Sequence, residues 1–554
     1  MNFFCSKDCP DLCGIESEKI DGKYTFKGVA EDWSKTGFIC SKFKVFAERE
    51  IANGINSWQV AGGKKFLYGS SKHAVSDLAT LLNDYKDKKI LYMKGSGSLA
   101  YNMCYWDVFF AKFENCWSIS GGPCDDTAAD AQIADFGTQL NPDIMNLENA
   151  DTIIVYGRNV AVCSQHLYSY LKKLKKQGKV IIYTDPVETK TAKLADKFIM
   201  INPCCDGLLA CALLTELGHV TGHDVDELLT RANVSRDDFD FIIDRIKTGK
   251  VAHIEGMGLQ RHKNGMNTFQ WINKLAVMTG SEDMLYSGHS SKRQWANQKK
   301  KFKGKIHVDK IAEVLANGEF DLFVNVAANP VMTFPDTNKW KEALSKTKTL
   351  VIDTNNTETS AFADFFLKVG GMFAQKDFMG SYFFGQDYSR EKLTKEMSDT
   401  EVIKILADEM KIPLKIKENV ARLTQTPRRY QTGDIELTMP ETSDKFQLIT
   451  SSHHSYLNSQ ILPGMEKGLQ VMHIHPSDAE KLGIKDGDDI KAIGETGEFV
   501  AEALLTNGIT EKTVMCWKNI PMKVGFLNNA IPNTLTDSGN GLNYYTVFVD
   551  LEKV

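Results

Sequence analysis

The sequence predicts a multidomain α/β protein: a small cysteine-bearing module, then α/β domains with parallel sheets, then an all-β closing domain. Three observations lead there. The chain has 554 residues, 42% of them hydrophobic, enough by the usual size of a domain for roughly three or four cores. Apolar, β-rich runs alternate with helical patterns through the middle of the chain. A polar, proline-bearing stretch then separates that region from a run of short strands and turns.

Taken in order, the first fifty residues read as loops and strands around cysteines. KKILYMKGSGS, ADTIIVYGRN, KVIIYTDP, VAHIEGMG, FDLFVNVAANP and KTLVIDTNN follow. Each is a strand-like run ending in Gly, Asn or Asp, and each leads toward a helical stretch such as SQHLYSYLKKLKKQG after Gly157. This rhythm builds parallel sheets with helices on both faces and places ligands at the carboxyl ends of the strands. LTQTPRRYQTGDIELTMPETSDKF, from Leu423 to Phe446, reads as a linker. DAEKLGIKDGDDIKAIGETGEFVAEALLT beyond it reads as one helical turn followed by alternating strands, an all-β pattern. No internal repeat or low-complexity tract stands out.

Composition removes several function classes. A net charge of -5 leaves no basic excess for phosphate backbones or anionic membranes, so nucleic acid is not an expected partner. The longest apolar runs, GLLACALLTELG among them, fall short of the roughly 20 residues of a membrane-spanning helix. MNFFCSKDCP carries no basic-then-apolar or twin-arginine signal, so a cytoplasmic location is expected. Twelve cysteines are too few for a disulfide scaffold at this length and suit a reducing compartment where thiols act as ligands.

Four of them stand out: Cys5, Cys9 and Cys13 in CSKDCPDLCG, and Cys40 in GFICSKFK. Structural zinc usually draws on two close pairs. Iron–sulfur clusters commonly take three thiolates from one looping segment and a fourth from a distant one. The grouping of three and one favours a 4Fe–4S cluster, with zinc and unliganded cysteines as the alternatives.

This motif resembles the N-terminal cluster motif of the molybdopterin-dependent oxidoreductases, a family that includes formate dehydrogenases, nitrate reductases and polysulfide reductases. The resemblance continues in order along the chain. It implies a cluster module at 1–50, one α/β pterin-binding domain from 51–115 with 300–435, interleaved with a second at 116–299, and a C-terminal pterin-binding β-barrel at 441–554. It also implies a bis-molybdopterin guanine dinucleotide cofactor with molybdenum or tungsten. Lys42 takes the place of a cation lying between cluster and pterin, although Phe43 replaces the glycine that usually follows.

Further matches carry over site residues one by one. ADTIIVYGRNVAVCSQH implies Gly157, Asn159 and His166 beside one dinucleotide. KVIIYTDP and INPCCDG imply Asp185 at a ribose and Asp206 at the guanine, with Cys204 and Cys205 replacing the usual small residues. FDLFVNVAANP and TNNTETSAFADFFL imply a second dinucleotide at Asn329, Pro330, Asp353, Thr357, Glu358 and Thr359. In the closing domain the implied contacts are Asn533 and Thr536, with Ser451, Ser452, His453 and His454 in a cofactor-facing loop.

The family's metal takes a protein ligand early in the second domain, and SISGGPCDDTAADAQIADFG offers Cys124, with Asp125 as its rival. A thiolate ahead of a helix has a lowered pKa and ligates readily. Cys104, Cys116, Cys163, Cys211 and Cys516 read as small buried core residues. Formate dehydrogenases carry His after the ligand, where this chain has Asp125, which disfavours formate and leaves a formate dehydrogenase-like enzyme as an alternative. The resemblance implies two-electron redox chemistry on a small substrate, with an electron-transfer protein as partner because only one cluster motif is present. The alternative from another class is non-redox hydration of the acetylene hydratase type, with Asp11 or Asp125 as proton donor. The Phe-rich KDFMGSYFFGQDY could line a substrate funnel or belong to the core.

Overall fold

The computed structural model describes all residues except 1, 12, 22, 30–36, 52–53, 141, 288–299, 381–386, 418–426, 428 and 431–434. Much of the expected linker, and the middle of the Phe-rich stretch, therefore lie outside the described residues. The chain folds as a mixed α/β multidomain protein with two largely parallel sheets and a closed C-terminal barrel.

A three-stranded antiparallel sheet opens the chain, formed by Asn2–Phe4, Gly14–Ile20 and Lys23–Gly28. Cys5, Cys9 and Cys13 lie between its first two strands, and Cys40 immediately precedes the helix Ser41–Ile51. All six strand-like runs recognised in the sequence are strands.

The larger sheet has eight strands. Six run parallel in the spatial order Lys305–His307, Cys116–Ser120, Ile90–Lys94, Leu322–Val326, Thr349–Asp353 and Phe365–Lys368. The hairpin Trp58–Ala61/Lys64–Leu67 closes one edge antiparallel. Strand Cys116–Ser120 thus pairs with the sheet built by 51–115 and 300–435, although it lies at the start of the 116–299 segment. The smaller sheet is five-stranded and all parallel: Lys197–Ile199, Val180–Thr184, Thr152–Tyr156, Val251–Glu255 and Leu285–Tyr286.

These strands are apolar on both faces because both faces are covered. Ile154 and Ile182 meet the helices Asp206–Glu216 and Gly265–Met278, while Ile153, Val155 and Ile181 meet Gln165–Lys176. In the larger sheet, Ile90 and Tyr92 pack on the helices Ser71–Asp84 and Cys104–Phe110. Leu91 and Met93, pointing the other way, join the core of the barrel. The barrel strands close in the order Phe446–Ser451, Thr513–Trp517, Val471–Ile474, Glu498–Leu505, Asp489–Ile493 and Phe548–Lys553.

Candidate active site

Three cavities meet around the cysteine loop. The backbone N–H of Cys5 donates to the Cys13 carbonyl at 3.2 Å and pinches the loop, and the Phe43 N–H donates to the Cys40 carbonyl at 3.1 Å. Cys5, Cys9, Cys13 and Cys40 thereby line one cavity of about 520 Å³. Burial pushes all four thiols up, Cys5 to about 12, and charge repulsion from neighbouring thiolates adds to the effect at Cys5, Cys9 and Cys13. Among the described residues, no three His, Cys, Asp or Glu side chains converge closely enough to hold a single metal ion.

Lys42 lines this cavity and also the first of two larger ones. Its Nζ donates to the Val162 carbonyl at 3.1 Å, and burial lowers its pKa. Cys163 lines the same two cavities and accepts at its carbonyl from the Cys9 thiol at 3.5 Å, so it belongs to the dividing wall rather than to a core. His166 stacks on Phe38 at 4.2 Å, takes Asp11 as acceptor for its backbone N–H, and lines the thiol cavity. The dinucleotide contact expected of His166 is not where the fold puts it, because the helix Gln165–Lys176 turns its first residues toward the cysteine loop.

The first large cavity, about 1370 Å³ with its open mouth, lies at the carboxyl ends of the five-stranded sheet. Gly157, Asn159, Asp185 and Asp206 all line it. Burial pushes Asp185 up to about 7, against hydrogen bonds from the Tyr183 hydroxyl (2.5 Å) and the Val187 N–H (3.0 Å). Burial likewise raises Asp206 to about 6, and the Thr184 hydroxyl donates to it at 2.8 Å. Cys204 enters this wall with a left-handed backbone (φ 68°) and its sulfur 2.6 Å from His262 Nδ1.

The second large cavity, about 2460 Å³ with its mouth, lies at the carboxyl ends of the eight-stranded sheet and is lined by Asn329, Asp353, Thr357 and Glu358. Burial raises Asp353 to about 6. The loop here repeats the one in the other sheet. Gly157 (φ 50°) and Ala327 (φ 51°) follow equivalent strands, each two residues ahead of Asn159 or Asn329 and a one-turn helix. Asn159 Oδ1 accepts from Thr191 Oγ1 at 3.0 Å, and Asn329 Oδ1 from Thr359 Oγ1 at 2.8 Å. The Thr191 and Thr359 hydroxyls accept in turn from Ala161 N and Val331 N, both at 3.2 Å. The chain contains a structural repeat that too few shared letters had revealed.

Both large cavities reach Cys124. The residues lining both there also include Asp8, Arg261 and Lys518. Asp125 is buried behind Cys124, preceding the helix Asp126–Phe136, and is not part of either lining. Asp11 lines the thiol cavity, away from Cys124. Of the closing domain's candidates, Ser451 and Ser452 line the first cavity. His453 instead packs on Tyr456 and Trp517, with ring centroids at 5.7 and 5.0 Å, and its neighbour His454 lies at 4.1 Å. Asn533 donates to the Asp309 carbonyl at 2.5 Å, and Thr536 shares a hydrogen bond with Thr127 at 2.8 Å. Neither Asn533 nor Thr536 lines either of these two cavities; they tie the closing segment to the α/β domains.

Two cavities at the carboxyl ends of two largely parallel sheets, meeting at one cysteine beside four clustered thiols, suit an enzyme that binds a large cofactor. The chain belongs to the molybdopterin oxidoreductase family: the family model described as "Molybdopterin oxidoreductase" matches residues 72–367, and that described as "Molydopterin dinucleotide binding domain" matches 446–546. The protein is thus an enzyme of that family, with a metal-bearing molybdopterin cofactor. It is 24% identical to "Probable oxidoreductase YyaE" of Bacillus subtilis (strain 168), over 99% of both chains. It is 22% identical to the "Assimilatory nitrate reductase catalytic subunit" of the same organism, over 66% of this chain and 61% of that one. Its fold is similar to that of acetylene hydratase from Pelobacter acetylenicus, with a TM-score of 0.78, 13% identity and full coverage of both chains. No helix among the described residues is long and apolar enough to cross a membrane.

Proposed function

We propose that the protein is a molybdenum- or tungsten-dependent oxidoreductase that carries out two-electron chemistry, oxygen-atom transfer or dehydrogenation, on a small substrate. One 4Fe–4S cluster relays the electrons to a ferredoxin-like or other redox partner in the cytoplasm. The observation that carries this reading is the meeting of both large cavities at Cys124, with Lys42 in the wall shared with the thiol cavity. The four thiols line one cavity, three from a single loop and the fourth from a distant segment, which is the grouping a cluster commonly uses.

When bound, the metal and two pterin dithiolenes supply the two-electron step. Cys124 would hold that metal, and Cys5, Cys9, Cys13 and Cys40 the cluster. Gly157, Asn159, Asp185, Asp206 and Ser452 would hold one guanine dinucleotide, the carboxylates accepting from ribose and base donors. Asn329 and Asp353 would hold the other. The Lys42 ammonium, fixed by the Val162 carbonyl, lowers the cost of placing negative charge on either side of it.

Anaerobic purification with metal analysis and EPR tests the reading, with wild type beside Cys124→Ser. The expected result is molybdenum or tungsten plus a cluster signal in wild type, with an altered metal spectrum and an unaltered cluster signal in the variant. A folded, cluster-loaded wild type without either metal refutes it.

One observation favours a second reading, non-redox hydration. Asp8 lines both cavities at Cys124, and its Oδ1 is buried without a hydrogen-bond partner among the described residues. A carboxyl group in that position suits proton exchange with a substrate bound beside Cys124. Dye-linked turnover separates the two: a hydratase turns over without any electron acceptor.

A further inference from the structure

The chain carries a net charge of -5, yet the span 165–197 holds eight lysines against three acidic residues, which makes it a basic island. The helix Gln165–Lys176 turns Leu167, Tyr170, Leu171 and Leu174 into the core. Its opposite face is therefore held outward, and Lys172, Lys173 and Lys176 are exposed on it. The segment 188–196 runs beside the same helix. Lys175 Nζ donates to the Leu194 carbonyl at 2.7 Å and pairs with Asp196 at 2.8 Å, while Ala192 and Ala195 pack on the core that buries the helix. This segment adds the exposed Lys190 and Lys193 to the surface.

Most of these charges have no internal counterpart. Asp185 lies inside the first large cavity, the Glu188 N–H ties that residue to the Gly508 carbonyl of the closing domain at 2.8 Å, and Asp196 is taken by Lys175. Lys173 meets Glu148 at 3.7 Å with both side chains half-exposed, where an ion pair contributes little. Among the described residues, Lys172, Lys176, Lys190 and Lys193 form no ion pair. The surface also stands beside the thiol cavity. Gln165 and His166, the first residues of the helix, line that cavity, and Lys172 and Lys176 follow about 10 Å and about 16 Å along the helix. Thr191 Oγ1 accepts from the Ala161 N–H at 3.2 Å, which pins the segment 188–196 to the one-turn helix Val160–Cys163, and Val162 and Cys163 belong to the cavity wall. After burial, the charges of Lys190 and Lys42 hold the His454 imidazole below its ordinary value, so both charges reach one side chain.

We infer that this lysine face is the docking surface for an acidic electron-transfer protein that exchanges single electrons with the proposed cluster. The inference rests on the proposed function, whose partner it describes and places. In each transfer the reduced cluster loses one electron and the oxidised iron centre of the partner gains it; no bond forms or breaks. Redox encounters of this kind are small, short-lived and steered by charge, so a group of unpaired lysines beside the thiols speeds the arrival of an acidic partner. Tyr168, half-buried with the Lys172 ammonium 5.6 Å from its ring centre, supplies an aromatic anchor within the face. An anionic lipid surface fits less well, because the apolar face of the helix is already buried in the core and has nothing to insert.

Stopped-flow mixing of the anaerobically purified holoenzyme, reduced with dithionite and freed of the excess, with an oxidised acidic 2Fe–2S ferredoxin reads the transfer. Calorimetric titration of the same two proteins reads binding independently of it. In wild type, rate and affinity are both expected to fall between about 0.01 M and about 1 M sodium chloride, as the screening length shrinks from about 30 Å to about 3 Å. Lys172→Glu with Lys176→Glu, and Lys190→Glu with Lys193→Glu, are each expected to lower the second-order rate at low salt by about tenfold or more. Metal content and the cluster EPR signal should stay unchanged in both. The same variants should react faster than wild type with a basic cytochrome. Lys467→Glu with Lys485→Glu changes the net charge equally at exposed positions of the closing domain, and is expected to stay within about threefold of wild type.

Binding and transfer that ignore salt, or that survive both double charge reversals, overturn the inference, as does wild type that does not bind the ferredoxin. An equal loss in the Lys467 and Lys485 variant also overturns it, since the effect would then follow net charge alone. Lysine variants that lose binding to phosphatidylglycerol vesicles while ferredoxin transfer stays intact would assign the face to a membrane surface instead. Wild type without a reducible cluster refutes the electron relay of the proposed function, and salt-sensitive ferredoxin binding abolished by the reversals in that sample would still uphold the docking surface.

Discussion

Lys42 is the residue whose place in the sequence translated most directly into a place in the structure. Two positions after Cys40, on the first turn of a helix, it can only emerge beside the thiols. The fold then brings Val162 and Cys163 against its other side. Replacing it with Met keeps the packing of the stem and removes the charge from the wall between the thiol cavity and the first large cavity. The expected outcome is unchanged cluster and metal content with dye-linked turnover lower by roughly tenfold, which corresponds to about 1.4 kcal/mol in the barrier. Turnover equal to wild type would remove Lys42 from the electron path. Asp8, Arg261 and Lys518 carried no comparable signal in the sequence. Each is a single charged residue in a loop, in a short 3-10 turn or just after a strand, and such residues are usually solvated. Their importance arises only when segments hundreds of residues apart converge on Cys124.

At the scale of elements, strand positions were legible because parallel strands buried on both faces are continuous apolar runs ending at Gly, Asn or Asp. The repeated strand-end loops were not legible. Their likeness lies in backbone geometry and in one Asn–Thr pair per loop, while GRN and AAN share a single letter. The repeat makes a reciprocal prediction. Gly157 takes φ 50° freely, but Ala327 takes φ 51° with a side chain that strains there. Gly157→Ala should lower stability by about 1–2 kcal/mol, aggravated because the new methyl would stand 3.1 Å from Leu259 Cδ2. Ala327→Gly should be neutral or stabilising by up to about 1 kcal/mol, strain relief being offset by backbone entropy. Thermal unfolding of the two variants beside wild type checks the sign of each shift, and two shifts of the same sign would contradict the equivalence of the loops.

For the whole molecule, the decisive arrangement is the docking of the cysteine module onto both α/β domains. The order of modules could be read in the sequence; the contacts that order the cysteine module and dock it could not, because they join residues scattered along the chain. Lys7, between two cysteines of the loop, donates to Glu50 at 2.5 Å, and the other Glu50 oxygen accepts from the Met372 N–H at 2.7 Å. Burial favours the protonated form of Glu50, but Lys7, with Arg49 at 3.7 Å, outweighs it and holds the carboxyl below its ordinary value of 4.5. A depressed folded-state pKa means that this contribution is present above the unfolded value and is lost as pH falls through the folded one. Lys7→Met removes the principal cation. Burial then prevails and the Glu50 carboxyl rises above its unfolded value, so its contribution becomes strongest at low pH and is lost as pH rises. The variant should lose about 3–5 kcal/mol near neutrality, the usual cost of leaving one member of a buried pair uncompensated. Between about pH 4 and 7 its Glu50-linked stability should fall with pH, whereas in wild type that contribution is retained. Thermal unfolding of both proteins across that range, followed by tryptophan fluorescence and by the absorbance of the proposed cluster, measures the effect where it should begin, in the cysteine module. Superimposable melting curves at every pH would mean that the Lys7–Glu50 pair does not hold the module in place.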